Sequence, residues 1–345
     1  MKAIVYEETC SSSVLKLQAK PMTAPGAGEV RVRVVVSGVN PTDWKSRAGG
    51  GRGGTPLAPK VPNQDGAGVI DEIGSGVTGF SIGDRVWLWD VAGGGNEGTA
   101  QEYAVVPAAK AVALPGTESF ETGASIGIPA LTAHRALTSH EDGPARLSPG
   151  SLKGKAVLIT GGAGAVGHAA IQLAKWAGAT VITTVSGERK AGLARLAGAH
   201  AVINYRTDNV VAAVRQAASD GVDTIVDVNA PANIDSDLQV LKPNGTIAIY
   251  SGANPGESMT VPIRESMTKN VRYQFILTYT VTDEQKQHAV DAVSEALKDG
   301  ALRVGEEYGL PLTRFPLEAT GAAHDAVEQG TIGKVLIDVA PGSHS

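Results

Sequence analysis

Gly162, Gly164 and Gly167 stand as G-x-G-x-x-G in "VLITGGAGAVGHAAIQLAKWAGA", between a buried apolar run and a segment of helical period. Glycines at that spacing act on phosphates through the backbone. Gly162 permits a tight turn, Gly164 lets the chain approach a pyrophosphate, and Gly167 lets helix and strand pack closely, while the helix N-terminus turns free N–H groups toward the anion. Gly162, Gly164, Ala165, Val166 and Gly167 are therefore expected to hold a dinucleotide. About 20 residues further on, an Asp or Glu would hold the adenosine ribose hydroxyl of NAD. Here "TVSGERK" places Ser186 at that point. Ser186, Lys190 and Arg189 can donate to a 2′-phosphate that a carboxylate would repel, at roughly 1.5–3 kcal/mol for each charge-assisted hydrogen bond. That favours NADPH, with Glu188 opposing it; the competing reading is a solvated helix start carrying only capping charges.

A second chemical question sits in "KVPNQDGAGVIDEIG", where Asp65 stands among glycines and small residues. It could be a metal ligand, an acid or part of a turn. A catalytic zinc needs three protein ligands, usually Cys and His, around one open position. The only cysteine is Cys10, and His134, His140, His168, His200, His288, His324 and His344 are scattered without ligand spacing. No metal is expected, and most of these histidines are read as surface or helix residues.

The elements that must position these groups change character along the chain. Up to about residue 125, short β-like runs ("KAIVYEE", "EVRVRVVVSGV", "AGVIDEI", "DRVWLW", "AQEYAVV") alternate with glycine-rich turns, which reads as mostly antiparallel β. From 155, six short buried runs ("KAVLIT", "TVITTV", "AVINY", "DTIVDV", "GTIAIY", "VRYQFIL") are mostly separated by helical segments, as in βαβ units with a parallel sheet. An amphipathic helix follows residue 281, capped by Thr282 or Asp283 and closed by Gly300, before the tail returns to β. The run "GGGRGG" at 49–54 reads as a mobile loop.

A chain of 345 residues can build two domains, and a net charge of −5 with 19% charged residues provides no basic face for nucleic acid or an anionic membrane. No apolar run approaches the ~20 residues of a membrane span. The lone cysteine points to a reducing compartment, and acidic Glu7 and Glu8 stand where a signal peptide needs apolar residues, so a cytoplasmic location is expected.

Over nearly its full length the chain resembles the medium-chain dehydrogenase/reductase superfamily, and within it the NADPH:quinone oxidoreductases of zeta-crystallin type. The residues carrying this are "GVNPTDW", "GAGVIDEIGSGVTGFSIGDRV", "IPALTAHRAL", "VLITGGAGAVGHAAIQLAK", "AGAHAVINY" and "GTIGKVLIDV". The resemblance implies an α/β fold with a GroES-like β-rich catalytic domain (1–127 and 282–345) and an inserted, doubly wound Rossmann domain of six parallel strands (128–281), with a cofactor cleft where they join. It carries Ser186, Lys190 and Tyr205 to the 2′-phosphate site, though Tyr205 could equally be a core tyrosine. Thr132, Phe275 and Leu277 are carried to positions near the nicotinamide, Asn229, Ser251 and Gly252 to loops that face the cofactor, and Lys334 to a position near the cofactor.

Asn40, Asp43, Trp44, Arg47 and Gln64 are the pocket candidates, and the segment 63–68 is where zinc-dependent relatives place a His-Glu pair. A tyrosine usual soon after the Asn is absent here, with Trp44 and Lys45 at or beside its place. The implied activity is zinc-independent reduction of a quinone by NADPH. The alternative is reduction of an activated C=C bond in an enone, alkenal or enoyl thioester, and a third reading is a non-catalytic NADPH- or RNA-binding protein. The sixth strand, "NVRYQFIL", could pair with its copy in a homodimer.

Overall fold

The computed structural model describes residues 1–50, 56, 58–93, 95–252 and 257–340. Most of the 49–54 run lies outside the described residues. The chain forms two compact units, one from Met1–Ile128 with Leu312–Ser345 and the other from Pro129–Pro311. Residues 282–311, grouped with the chain ends on sequence grounds, fall in the second unit.

The N-terminal segment supplies β1 (Lys2–Val5), β2 (Lys16–Ala19), β3 (Glu29–Val39), β4 (Asp65–Ile73), β5 (Arg85–Leu88), β6 (Tyr103–Pro107) and β7 (Ala111–Ala113), with helices α1 (Pro41–Arg47) and α2 (Phe120–Leu137). The second unit supplies β8 (Ala156–Thr160), β9 (Thr180–Val185), β10 (Ala201–Asn204), β11 (Val222–Asp227), β12 (Leu241–Ile249) and β13 (Arg272–Phe275). Its helices are α3 (Ala165–Trp176), α4 (Glu188–Ala197), α5 (Val210–Ala217), α6 (Ala230–Val240), α7 (Ile263–Thr268) and α8 (Asp283–Lys298). The chain then adds β14 (Leu312–Pro316), α9 (Thr320–Glu328) and β15 (Lys334–Asp338) to the first unit.

In the first unit β3 sets the architecture. Its first half alternates, with Val30, Val32 and Val34 fully buried while Arg31 and Arg33 are half-exposed, as a strand with one solvated face requires. From Val35 onward both faces are buried. The strand pairs antiparallel with β4, β6 and β15, and the main sheet runs β14-β15-β3-β4-β5-β7. This pairing brings the start of β4, where Asp65 lies, beside Gly38 at the end of β3. It also brings Val335–Asp338 alongside Val36–Val39, with Lys334 immediately before them.

The second unit holds the six expected strands, all parallel, in the order β10-β9-β8-β11-β12-β13. That is the doubly wound order, in which the loops after the strand C-termini form the ligand edge. The burial of Val157, Leu158, Ile159, Val181, Ile182, Ile225, Val226, Ile247 and Ala248 explains their unbroken apolar runs. Helix α8 opens on a capping box between Thr282 and Gln285 and buries Ala289, Val290, Ala292, Val293, Ala296 and Leu297. The edge strand β13 leaves Phe275 66% and Leu277, just beyond it, 47% exposed.

Candidate functional site

The glycine loop joins β8 to α3, but its labour is divided differently from the expectation. The left-handed turn belongs to Gly161 (φ +72°), whereas Gly162 has no positive φ. What Gly162 requires is space: a Cβ there would stand 2.2 Å from Thr183 Oγ1 on the neighbouring strand. A Cβ on Gly167 would stand 2.4 Å from Gly161 O, so this glycine keeps helix and loop in contact. Gly164, the N-cap of α3, is exposed and has only Gly161 O within 4 Å of a Cβ, at 3.4 Å. Ala165 and Val166, both half-buried, begin the first helical turn, whose N–H groups lack intrahelical acceptors. His168 is buried behind them with Nε2 2.9 Å from Tyr308 O; burial pulls its pKa down to about 4 and keeps the ring neutral.

Ser186 follows β9, and Tyr205 follows β10, whose Asn204 is in register with Val185. Tyr205 N donates to Val185 O at 3.1 Å, so Ser186 and Tyr205 end adjacent strands. Tyr205 is 51% exposed, which rules out the core-tyrosine reading. Lys190 lies in the first turn of α4, and Glu188, the acid that would oppose a phosphate, accepts from Arg195 Nη1 at 2.8 Å. Arg206, exposed beside Tyr205, is a further cation that the sequence reading did not use.

At the middle of the sheet, Asp227 ends β11 fully buried. Its Oδ1 accepts from Thr160 Oγ1 (2.7 Å), Asn229 N (2.8 Å) and Asn233 Nδ2 (2.9 Å), and Thr160 Oγ1 in turn accepts from Val228 N (2.9 Å). This network fixes the corner presenting Asn229, the exposed N-cap of α6. Ser251 and Gly252 follow β12, and Phe275 ends β13 in register with Ile249, so these candidates occupy adjacent strand ends. Thr132 differs: it is buried, and its hydroxyl is 2.7 Å from that of Thr278, so it ties two segments of this unit together.

In the first unit, Asn40 caps α1 and joins a buried cluster. Its Nδ2 donates to Asp65 Oδ2 (2.7 Å), its Oδ1 accepts from Lys334 Nζ (2.6 Å), and its N–H donates to Asp43 Oδ2 (2.7 Å). Asp65 Oδ1 accepts from Ile128 N at 2.9 Å, and Lys334 Nζ lies 3.6 Å from Asp65 Oδ2. Burial pushes Asp65 up, opposed by Lys334 and Asn40, and pushes Lys334 down, opposed by both aspartates. Burial likewise pushes Asp43 up to about 8, with the Asp65 charge adding to it and the Asn40 N–H and Lys334 opposing it. Asp43 Oδ1 and the buried Gln64 Oε1 have no hydrogen-bond partner among the described residues.

Two of the candidates are held by internal partners. Lys334 is 2% exposed with its ammonium turned to Asn40 and Asp65, so it serves as an internal counter-charge. Arg47, also 2% exposed, donates to Cys10 O (2.9 Å) and Glu328 Oε2 (2.7 Å), and so fastens α1 to its surroundings. Trp44 is half-buried, with Lys45 Nζ 5.8 Å from its ring centroid.

Sequence reasoning missed a buried relay behind Asp65. His324 Nε2 is 2.9 Å from Asn63 Oδ1, Asn63 Nδ2 donates to Ser37 Oγ (2.9 Å), Ser37 Oγ meets Thr99 Oγ1 (2.7 Å), and Thr99 Oγ1 donates to Asp65 O (2.6 Å). Burial pulls His324 down to about 3, so the neutral ring donates from Nε2 to Asn63, which adopts φ +78°. His134, His168 and His324 stand on helices α2, α3 and α9, as the helix reading allows, with all three side chains buried. The unevenly spaced polar residues gave no sign of the relay. Among the described residues, no group of three or more His, Cys, Asp or Glu side chains could hold a metal ion.

Comparison with known proteins matches residues 26–116 to the alcohol dehydrogenase GroES-like domain and residues 165–295 to the family described as zinc-binding dehydrogenase. The chain is 32% identical to the quinone oxidoreductase of Lama guanicoe over 98% of this chain and 97% of that protein. It is 30% identical to a 2-haloacrylate reductase of a Burkholderia species, over 98% of each. The crystal structure of Escherichia coli quinone oxidoreductase complexed with NADPH superposes with a TM-score of 0.80 at 25% identity, covering 98% of this chain and all of that one. With relatives this similar from end to end, both halves accounted for and the same two-unit fold, the chain is an oxidoreductase belonging to the quinone oxidoreductase family of the medium-chain dehydrogenase/reductase superfamily.

Proposed function

We propose that the protein reduces a quinone with NADPH and without a metal ion. The observation that carries this reading is the edge formed by Ser186, Lys190 and Tyr205, with Glu188 engaged by Arg195. Bound NADPH supplies a hydride from its nicotinamide C4, and a quinone accepts it without a Lewis acid because the product gains aromaticity. The residues that bind and orient it are the first-turn N–H groups of α3 for the pyrophosphate, the Ser186 edge for the 2′-phosphate, and Asn229, Ser251 and Phe275 toward the nicotinamide.

Donor chemistry at residues 63–65 supports metal independence. Asn63 and Gln64 are amides, and Asp65 is already surrounded by Asn40, Ile128 N–H and the Lys334 ammonium. Lys334 thus supplies the positive charge at this carboxylate.

Lys190→Ala tests the cofactor assignment. Loss of a charge-assisted contact worth roughly 1.5–3 kcal/mol corresponds to about a tenfold or greater rise in Kd for NADPH. NADH, lacking the phosphate, is expected to stay within about twofold. Equal weakening of both, read by nucleotide fluorescence titration, would contradict the 2′-phosphate role.

A second reading, reduction of an activated C=C bond, is favoured by Asp43 and by similarity to the haloacrylate reductase. A carboxyl whose pKa burial raises toward neutrality is the type of group that protonates an enolate carbon.

A further inference from the structure

Behind the corner that presents Asn229 lies a second buried carboxyl whose role the proposed reaction does not explain. Asp237 is on α6, four residues after Asn233, so both face the end of β11. It is 2% exposed, and Asn233, one helical turn before it, donates to Oδ1 of the fully buried Asp227, so the two carboxyls approach one another on the inner face of α6. Neither Asp237 Oδ2 nor Asp227 Oδ2 has a hydrogen-bond partner among the described residues. Asp227 Oδ1 has its three donors from Thr160, Asn229 and Asn233, so Oδ2 is the oxygen left without one. Two buried carboxylates this close cannot both ionise without a large Coulombic penalty.

We propose that Asp237 is a positioning residue for the cofactor site: the proton it shares with Asp227 fixes the 227–229 corner, and loss of that proton loosens the corner and weakens NADPH binding. The inference rests on the cofactor assignment given under Proposed function. Asp227 also accepts from Tyr250 N through its backbone carbonyl (3.2 Å), and Thr160 immediately precedes Gly161 of the glycine loop. One acid pair therefore braces both the nicotinamide-side corner and the start of the phosphate loop.

Burial, the larger cause, and the Asp227 charge push Asp237 well above the ordinary Asp value. Tyr250, the other titratable group at Asp227, is pushed up by burial and by the same charge, so its phenol stays neutral. Charges on the adjoining segments are engaged elsewhere. Arg215 of α5 donates to Ser219 O and Gln239 O, Lys155 and Lys242 reach Asp223, and Lys269 reaches the carbonyls of Leu238 and Leu241.

The sign follows from a folded pKa raised above the unfolded one. The protonated pair contributes fully below the ordinary Asp pKa of about 3.9, and that contribution is lost as pH rises to the folded value. Asp237→Asn replaces the shared proton with an amide donor that does not titrate. NADPH Kd for the wild type should rise with pH on the alkaline side, whereas Asp237→Asn should bind like the wild type near neutrality and show no such rise. Asp237→Ala, which leaves Asp227 no carboxyl to share a proton with, should raise Kd about tenfold at neutral pH.

Thermal unfolding without nucleotide provides a second readout: wild-type Tm should fall relative to Asp237→Asn as pH rises. An Asp237→Asn variant whose Kd and Tm follow the wild-type pH curves would overturn the proposal, even if Asp237→Ala does not fold. Wild-type protein that fails to bind NADPH would overturn the cofactor assignment, and the positioning role with it.

Discussion

Lys334→Met lowers the stability of the protein by about 3–5 kcal/mol, the usual result of removing one partner of a buried ion pair. The substitution deletes the donor to Asn40 Oδ1 and the only cation within salt-bridge distance of Asp65 among the described residues. Asp65, fully buried, keeps Asn40 Nδ2 and Ile128 N–H but loses its counter-charge. Against a typical total of about 5–15 kcal/mol, this loss should appear as a large drop in urea midpoint or Tm. Lys334→Met with Asp65→Asn should recover much of it, because the second change removes the orphaned charge. If Lys334 contacts cofactor instead, the single variant would unfold like the wild type and show a raised NADPH KM. The same two measurements therefore separate the buried role from the role expected by resemblance.

Gly167→Ala should be as damaging, for a steric reason. The added carbon would stand 2.4 Å from Gly161 O and 2.9 Å from Gly162 Cα, both backbone atoms that no rotamer change can move. Overpacking of this kind costs about 1–3 kcal/mol. It would also push α3 away from the loop that its N-terminus must support. NADPH affinity is expected to fall at least tenfold, about 1.4 kcal/mol. Alanine at Gly192, on α4 with open space around it, is the control and should change neither stability nor affinity appreciably. Unchanged nucleotide binding by Gly167→Ala would show that the loop tolerates displacement.

Much of the fold was legible because burial imposes a period. The run "EVRVRVVVSGV" is β3 from end to end, and all six apolar runs after residue 155 became parallel strands. The glycine loop was readable because spacing alone fixes its chemistry, although the positive φ fell to Gly161. The boundary at 281 was not readable: α8 has an apolar face, and its sequence does not say which sheet that face covers. Nor was the Asp65 cluster. Lys334 lies 269 positions from Asp65, and only the pairing of β15 with β3 and of β3 with β4 brings them together. His324 and Asn63 are likewise joined only by the tertiary fold. A charged residue in an apolar strand marks a functional or paired site without identifying which, and here Asp65 and Lys334 answer each other.

NADPH-dependent quinone reduction that needs no bound metal is the activity proposed for this protein. Its most direct measurement is the initial rate of NADPH oxidation by chelator-treated protein with a benzoquinone, a naphthoquinone and an enone, and with NADH in parallel. Turnover is expected with at least one quinone, unchanged by the chelator, at a higher kcat/KM with NADPH than with NADH and a higher kcat/KM for the quinone than for the enone. Oxidation with the enone alone would transfer the assignment to C=C reduction, and no turnover with any quinone would contradict the claim.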